Sequence, residues 1–375
     1  MKANRKILLV ATGALRNPLT WSGVPLRLLE EFERVGYEVV YADMSRVPYI
    51  KLPRILFNRV IRRVVKKWRT ITFETTRLGL ALQSFWFRRL AARHADVERI
   101  VACSFCLDAG GIAQPVTLVQ DWPNGYMQQM FARREMTAEE RAGDERQFVA
   151  MKAARDIVSL YPLGARYLRE HGLAQARFIC NPINVRGLEK FRLGDGSGSR
   201  HVLLVGGESY QENVDCTIRA LNRLGDSSIV LDVVGVTSSP VESTAATVRF
   251  YGYLDRSNSS QLATYNALYD QARCVVNVRG GWGGGSSIAE ALYRGKPIVV
   301  GDYAEIKALY GVESGRFGYY CRQVDEVDLA EKLRLMFSLD EKRYLQMCRA
   351  AYETAKNDTF ERFVKGLEGG LEDGV

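Results

Sequence analysis

The chain alternates short apolar runs with longer segments in which apolar residues recur at helical spacing. Ile7-Leu8-Leu9-Val10 is typical of a buried strand, and a helix carrying Leu26, Leu29 and Phe32 follows it. Residues 38–42 then predict a second strand. Because a strand, a helix and a strand in this order form a βαβ unit, this opening predicts a parallel sheet.

The same alternation recurs in both halves of the chain. Further strands are predicted in the first half at residues 100–103, 116–119 and 157–160. In the second half they are predicted at residues 201–205, 230–234, 248–251, 274–278 and 297–300. After Asp328 the pattern is helical, and a short last helix holds Phe360 and Phe363. The pattern predicts an α/β fold with two doubly wound sheets in tandem.

A stretch of small polar residues separates the two halves. Residues 194–199 read Gly-Asp-Gly-Ser-Gly-Ser, which cannot bury a face and is typical of a linker. A length of 375 residues also favours two domains. The predicted domains are residues 1–190 and 200–350, followed by a helical segment over residues 351–375 that packs back on the first domain.

Loops that follow strands are where ligands bind in this class of fold. In the first half, Gly13 and Trp21 lie in the loop after the first strand, and Asp121 comes just after the strand at 116–119. An acid past a strand end faces the predicted cleft, so Asp121 is the candidate for chemistry. Trp21 also fits ordinary packing, and Gly13 also fits a tight turn.

The segment richest in candidate chemistry runs from Gly280 to Val300. Its glycines let the backbone approach a ligand without a side-chain clash, and the helix predicted to begin at Ser287 presents free amide groups that favour a phosphate. Gly295 and Pro297 end that helix. The residues predicted to contact the phosphates are Gly283, Gly284, Gly285, Ser286 and Ser287.

The same segment resembles the large retaining glycosyltransferase family with two Rossmann-like domains, called group 1 or family 4. Members typically carry a glutamate, seven residues and a second glutamate, followed by a small residue and then a glycine and a proline. Residues 290–297, Glu-Ala-Leu-Tyr-Arg-Gly-Lys-Pro, match the second half of that pattern. Residues 21–25, 181–183 and 250–253 agree as well, so the resemblance covers about residues 7–363. It implies the GT-B fold, in which two doubly wound domains face each other.

The resemblance also implies which residues bind the sugar donor. The family's second glutamate, which binds the ribose hydroxyls, corresponds to Glu290, and Gly207 and Tyr253 complete the expected donor side. Residues 287–290 also fit a capping box, in which Glu290 would only bond the helix start. A ribose role predicts that Glu290→Gln weakens donor binding at unchanged stability, whereas a cap predicts early melting.

Several positions depart from the family pattern. The family's first glutamate falls on Trp282, and the arginine and lysine that neutralise the donor diphosphate fall on Gly207 and Glu212. A histidine of the first domain falls on Gln120. The nearest replacement cations are Arg279 and Arg16.

The expected function is transfer of a sugar, with retention, from a nucleotide-diphosphate donor to a glycan or lipid-linked acceptor, in cell-surface polysaccharide or glycolipid synthesis. Asp121 is the expected catalytic residue. The expected acceptor side consists of Gly13, Arg16, Trp21, Ser22 and Gly23. The departures from the family pattern favour one alternative, a catalytically inactive relative that binds sugar nucleotides or glycans.

No metal or other cofactor is expected. Cys103 and Cys106 form the only close pair among the cysteines, and neither a second pair nor clustered histidines complete a zinc site. No apolar run approaches the roughly 20 residues that span a bilayer, so a cytoplasmic location is expected.

The net charge of +9 is concentrated in one stretch of the first half. Its basic residues are Lys51, Arg54, Arg59, Arg62, Arg63, Lys66, Lys67, Arg69, Arg77, Arg88, Arg89 and Arg93. Apolar residues between 55 and 68 recur at helical spacing, which predicts a basic amphipathic helix that contacts an anionic membrane at its inner face. The alternative is a solvated helix packed on its own domain. Nucleic acid is not an expected partner, because no recognised nucleic-acid module is present.

Overall fold

The computed structural model describes residues 5–64, 71–104, 107–132, 134–185, 198–278, 284–323 and 325–369. The chain forms two compact units, Met1–Pro182 with Phe360–Val375 and Ile183–Thr359. Most of the linker predicted at residues 194–199 lies outside the described residues, and the domain boundaries expected from the sequence stay predictions.

The first unit is built on a sheet of six parallel strands. They are β1 (Lys6–Ala11), β2 (Glu38–Asp43), β3 (Arg99–Cys103), β4 (Val116–Gln120), β5 (Asp156–Ser159) and β6 (Ala176–Phe178). Their order is β2-β1-β3-β4-β5-β6, and every hydrogen-bonded pair is parallel. The strand order therefore reverses between β1 and β3, which is where open sheets of this kind bind ligands.

Helices connect these strands. They are α1 (Val24–Arg34), α2 (Pro48–Leu56), α3 (Arg62–Val64), α4 (Arg77–Arg93), α5 (Asn124–Met127), α6 (Ala138–Met151) and α7 (Pro162–Glu170). Helix α1 forms because Leu28, Leu29 and Phe32 share a buried face and Pro25 lies in its first turn. Helix α6 begins with a capping box between Thr137 and Glu140.

The second unit contains another sheet of six parallel strands. They are β7 (His201–Val205), β8 (Val230–Val234), β9 (Thr247–Gly252), β10 (Ala272–Asn277), β11 (Ile298–Gly301) and β12 (Gly318–Cys321). Their order is β12-β11-β10-β7-β8-β9. Here the strand order reverses between β7 and β10.

Helices cover both faces of this second sheet. They are α8 (Gln211–Leu224), α9 (Ser259–Gln271), α10 (Gly284–Tyr293), α11 (Ala304–Tyr310), α12 (Glu326–Ser338) and α13 (Glu341–Ala355). One buried cluster joins Val202 and Leu204 of β7 to α8 and α12. A second cluster joins Leu203 to α9 and α10 on the opposite face. The alternation of side chains along β7 thus produces the doubly wound arrangement that the sequence predicted.

The last helix, α14 (Phe360–Leu367), belongs to the first unit. It packs against α1, and Phe363 is buried at 1% exposure. Its final carbonyls accept hydrogen bonds from Arg99, at 3.0 Å to the oxygen of Leu367, and from Arg177, at 3.0 Å to the oxygen of Gly366. The C-terminal helix therefore packs on the first domain, as the sequence predicted.

Candidate functional site

A crevice is expected in the second unit where the strand order reverses. The chain leaves β7 toward α8 on one face of the sheet and leaves β10 toward α10 on the other face. Ligands of doubly wound folds bind at the carboxyl edge of the sheet between two such connections. The predicted donor residues Gly207 and Gly284 follow β7 and β10, so the topology brings both loops to this edge.

The turn after β7 is packed tightly at Gly206, which contacts Gly235 at the end of β8, and is open at Gly207. A side chain at Gly206 would lie 2.3 Å from the ring of Tyr210. A side chain at Gly235, whose φ is +98°, would lie 2.2 Å from the carbonyl oxygen of Gly206. At Gly207, by contrast, an added Cβ would meet nothing within 4 Å. Packing therefore requires Gly206 and Gly235, whereas Gly207 leaves open space at the edge.

The start of α10 contradicts the capping-box interpretation. The helix begins at Gly284, so Ser287 already lies inside its first turn and is not the cap. The Glu290 carboxylate bonds Arg256, Tyr265 and Arg294 instead of the helix start. The capping-box alternative is therefore wrong. Gly285, Ser286 and Ser287 lie in the first turn, and Gly283 and Arg279 lie outside the described residues.

Glu290 lies at the centre of a buried ion-pair network. Its Oε1 accepts hydrogen bonds from Arg294, at 2.9 Å from Nη2 and 3.2 Å from Nε. Its Oε2 accepts from the Tyr265 hydroxyl at 2.9 Å and from Arg256 Nη1 at 3.4 Å. Arg294 also donates to Asn266 at 2.9 Å. Since a carboxylate offers about four lone-pair positions, these four contacts occupy the acceptor capacity of Glu290.

This network changes the expectation for Glu290. A ribose would have to share or replace contacts that are already made, and Glu290→Gln is now expected to destabilise the fold. Binding of ribose by Glu290 stays a prediction. Arg256 and Arg294 were not among the predicted site residues, although the spacing of Glu290 and Arg294 is that of an i,i+4 ion pair on one helix face.

Arg256 connects this network to the carboxyl edge. It follows β9, stacks over the Tyr265 ring at 5.4 Å and donates to the carbonyl of Asn184 at 2.9 Å. Burial opposes its charge, but the Glu290 carboxylate raises the pKa of Arg256 overall. Tyr253, predicted on the donor side, directly follows β9 and is 58% exposed.

The predicted acceptor residues of the first unit lie in the loop after β1. A side chain at Gly13 would lie 2.6 Å from Thr20 Cγ2, so the loop folds tightly on itself. Trp21 and Ser22 have positive φ values of 49° and 53°, and Gly23 follows at 84°. Two consecutive left-handed residues other than glycine are costly, and such strain is concentrated at functional sites.

Two contacts hold this loop against β2. The Leu15 amide donates to Asp43 Oδ1 at 2.6 Å, at the carboxyl end of β2. The guanidinium of Arg16 stacks over the Tyr41 ring at 4.7 Å while the side chain stays at the surface. The loop follows β1, one of the two strands between which the strand order reverses, and these contacts fix it against the end of β2.

Asp121 directly follows β4 on the same edge. Its carbonyl accepts a hydrogen bond from Ser159 Oγ at 3.1 Å, and the neighbouring Trp122 stacks on Tyr161 at 4.4 Å. Burial raises the pKa of the Asp121 carboxyl to about 6. Because β4 and β1 are two strands apart, about 10 Å separate Asp121 from the loop after β1.

Gln120, which stands where the family has a histidine, does not share this edge. Its side chain is fully buried, and its amide nitrogen lies 3.5 Å from the sulfur of Met151. Among the described residues, no three His, Cys, Asp or Glu side chains converge as metal ligands, and Cys106 lies outside them. No helix in the described part of the chain is long and apolar enough to cross a bilayer.

Comparison with known proteins agrees with this architecture. Residues 199–338 match the family model of glycosyl transferases group 1. No match was found among curated proteins. The match covers most of the second unit, including Gly207 and Glu290.

Three solved structures illustrate the similarity of fold. A trehalose-phosphate synthase (UDP-forming) from Burkholderia vietnamiensis is 12% identical with a TM-score of 0.63, covering 97% of this chain and 100% of that one. Sucrose-phosphate synthase from Thermosynechococcus elongatus is 14% identical with a TM-score of 0.61, covering 98% and 97%. A TarM mutant from S. aureus, in complex with UDP, fondaparinux and α-GlcNAc-glycerol, is 12% identical with a TM-score of 0.55.

The chain spans 58% of TarM, and 78% of the chain is covered by that comparison. At such low identities the likeness concerns the fold. The predicted GT-B fold is confirmed: the two six-stranded parallel sheets are those of GT-B glycosyltransferases.

Proposed function

We propose that the protein transfers a sugar from a nucleotide-diphosphate donor to a hydroxyl group of a glycan or lipid-linked acceptor. One observation carries this proposal. The part of the chain that matches glycosyl transferases group 1 is the sheet whose reversal point is lined by the open Gly207 turn and the start of α10. A nucleotide diphosphate suits such an edge, because backbone amides and a helix start favour negative charge.

The second unit would assist the reaction by stabilising negative charge on the leaving group. The bond between the anomeric carbon and the diphosphate oxygen breaks, and the amides at Gly285, Ser286 and Ser287 stabilise the charge that develops on the leaving diphosphate. The nucleotide diphosphate leaves as product. We propose that no metal is needed for this step.

The first unit would bind the acceptor. The acceptor oxygen forms a new bond to the anomeric carbon, and its proton passes to the Asp121 carboxylate. A pKa of about 6 suits this role, because the group is ionised at neutral pH and is still a usable base. Gly13, Arg16, Trp21, Ser22 and Gly23 would contact the acceptor through the strained loop after β1.

The donor class and the stereochemistry are proposed from the similarity of this chain to other proteins. One structural neighbour is named as UDP-forming and another is a complex with UDP, so a UDP-sugar is the first donor to test. Retention of the anomeric configuration is proposed from the family resemblance alone. On the same ground, we propose a role at the cytoplasmic side in the synthesis of a cell-surface polysaccharide or glycolipid.

A panel of UDP-, GDP- and dTDP-sugars tests the proposal. One donor should raise the melting temperature, because a ligand that binds only the folded state stabilises it by mass action. With an acceptor present, the same donor should release its nucleotide diphosphate, and NMR of the product should show a retained anomeric configuration. Failure of every nucleotide sugar to bind would contradict the proposal.

A second candidate function is binding of a sugar nucleotide without transfer. Trp282, Gly207 and Glu212 favour it, because they stand where the resembling family has its first glutamate and the arginine and lysine that neutralise the donor diphosphate. Donor binding without release of nucleotide diphosphate, across a range of acceptors, would identify this function.

A further inference from the structure

The first unit carries an apolar stripe that its own core does not cover. The stripe runs along α2, the π-helical turn Phe57–Ile61 and α3. Ile50 and Phe57 of this stretch are buried in the core. The stripe itself consists of Tyr49, Leu52, Leu56, Val60 and Val64, spaced three or four residues apart as on one side of a helix.

The exposure of this stripe is large. Leu52 is 66% exposed, Leu56 is 55% exposed and Val64 is 74% exposed. A helix at the surface of a soluble domain is expected to turn one apolar face to the core and polar residues to water. A second, contiguous apolar face marks a surface that binds something.

Helix α4 extends the stripe sideways. Phe85 is 53% exposed, and its ring centroid lies 6.3 Å from that of Tyr49 on α2. A groove of about 470 Å³ opens here. Its lining includes the aromatic residues Tyr49, Phe85 and Trp86 and the basic residues Arg46, Arg89 and Arg93.

Positive charge borders the apolar residues. Lys51, Arg59 and Arg63 are exposed on the same helical stretch, and Arg89 and Arg93 are exposed on α4. No ion pair between these five side chains and an acid occurs in the described part of the chain. The acids nearby are already matched, since Glu74 pairs with Arg54 at 3.1 Å, Asp108 with Arg88 at 3.0 Å and Asp43 with Arg46 at 3.0 Å.

We propose that this surface docks on an anionic lipid bilayer. The side chains of the stripe and Phe85 enter the boundary between headgroups and acyl chains, and the lysine and arginine side chains contact lipid phosphates. A nucleic acid would satisfy the charge but leave the apolar stripe in water. A second copy would bury the stripe, but a symmetric contact would bring like charges together.

The docking surface adjoins the loop proposed to bind the acceptor. Asp43 at the end of β2 holds the Leu15 amide of that loop, and α2 begins five residues later at Pro48. Membrane docking is independent of the proposed transfer reaction. If both hold, the bilayer is the source of a lipid-linked acceptor.

Vesicle flotation with the full chain tests the proposal without donor or turnover. The probes are phosphatidylcholine vesicles with and without phosphatidylglycerol as the anionic lipid, at low and high salt. We expect at least tenfold stronger binding to the anionic vesicles, and weaker binding at high salt. Equal binding to both vesicle types would overturn the proposal.

Two variants and one matched control identify the surface. Leu52→Glu combined with Leu56→Glu should reduce vesicle binding at least tenfold, and Arg59→Gln combined with Arg63→Gln should reduce it about tenfold. The matched comparison is Leu52→Glu alone, at 66% exposure, with the control Val149→Glu, which adds the same single charge at a similarly exposed apolar position of α6, at 71% exposure, and should bind normally. Circular dichroism melting of each variant confirms that it is folded.

Three outcomes would overturn the assignment. Normal vesicle binding by the folded Leu52/Leu56 variant would place the contact elsewhere. Loss of a dimer in that variant, measured by light scattering, would assign the stripe to a second copy. Binding of RNA or duplex DNA that is lost in the Arg59/Arg63 variant, with no vesicle binding by the wild type, would assign the charge to nucleic acid.

Discussion

Glu290→Gln removes the negative charge from a carboxylate that is buried beside two guanidinium groups. The Glu290 side chain is 6% exposed and that of Arg294 is 3% exposed, so water screens neither charge. Glutamine keeps one acceptor oxygen, but its amide group must face donors on the other side. It points either at Arg294 or at Tyr265 and Arg256. Loss of one partner from a buried ion pair costs about 3–5 kcal/mol, and the remaining oxygen restores part of this. We expect the free energy of unfolding to fall by about 3 kcal/mol.

Thermal unfolding of the full chain, followed by circular dichroism, measures this loss. For a unit of this size, 1 kcal/mol lowers the melting temperature by about 2–4 °C, so a decrease of about 6–12 °C is expected. Glu353→Gln on α13 is the matched control, because Glu353 pairs with Lys356 at the surface, with side chains 50% and 40% exposed. Its effect should stay within about 0.5 kcal/mol.

A double variant and a ligand titration sharpen the test. Combining Glu290→Gln with Arg294→Met should recover part of the lost stability, because it removes the more deeply buried of the two guanidinium groups that lost their carboxylate partner, while Arg256 keeps its bond to the Asn184 carbonyl. An equal melting temperature for Glu290→Gln and Glu353→Gln, with nucleotide binding weakened only in the former, would refute the reasoning. The carboxylate would then serve the donor and not the fold.

Further substitutions test both carboxyl edges and the last helix. Burial raises the pKa of Asp121 from 3.8 to about 6, so folding favours its protonated form and stability falls as the pH rises through that range. In differential scanning fluorimetry, Asp121→Asn should therefore melt at a higher temperature than the wild type at pH 7.5 and at the same temperature at pH 3. Its turnover should fall about a hundredfold. Equal shifts of the melting temperature at both pH values would contradict this. Gly207→Ala should fold normally but bind nucleotide more weakly, whereas Gly235→Ala should be strongly destabilised. A low melting temperature for Gly207→Ala with normal stability of Gly235→Ala, and unchanged nucleotide affinity of Gly207→Ala in titration, would exclude the proposed crevice. Phe363→Ala should lower the free energy of unfolding by about 3–5 kcal/mol in urea titration, and no change would show that α14 does not stabilise the first unit.

Hydrophobic patterning predicted the strands that are buried and strongly apolar. It did not predict β12, because Gly318-Tyr319-Tyr320-Cys321 is short and begins with a glycine. That glycine is needed, since a side chain there would lie 2.0 Å from the carbonyl oxygen of Ile298. In the sequence this glycine looks like a strand breaker. Its reason, the close approach of the β11 backbone, is visible only in the assembled sheet. β6 was not predicted either, because its three residues are too few to show a strand pattern.

The candidate site was predicted only in part. The glycine turns and Asp121 follow strands, so their places at the carboxyl edges could be expected from the order of elements. The contact of Glu290 with Tyr265 and Arg256 could not, because α9 and the loop after β9 meet α10 only when the sheet is assembled. The capping-box interpretation failed because α10 starts at Gly284, where sequence patterns place helix boundaries least reliably.

The position of α14 has a consequence for synthesis on the ribosome. Residues 360–367 complete the first unit, yet 177 residues of the second unit, Ile183–Thr359, precede them in the chain. At about 5–20 residues per second, the nascent first unit waits about 9–35 s before this helix emerges. During that interval the face of α1 that α14 covers stays open to water, and Arg99 and Arg177 lack their carbonyl partners. The first domain to be translated is thus the last to be finished, and the α1 face is where a chaperone would be needed while the second domain is made.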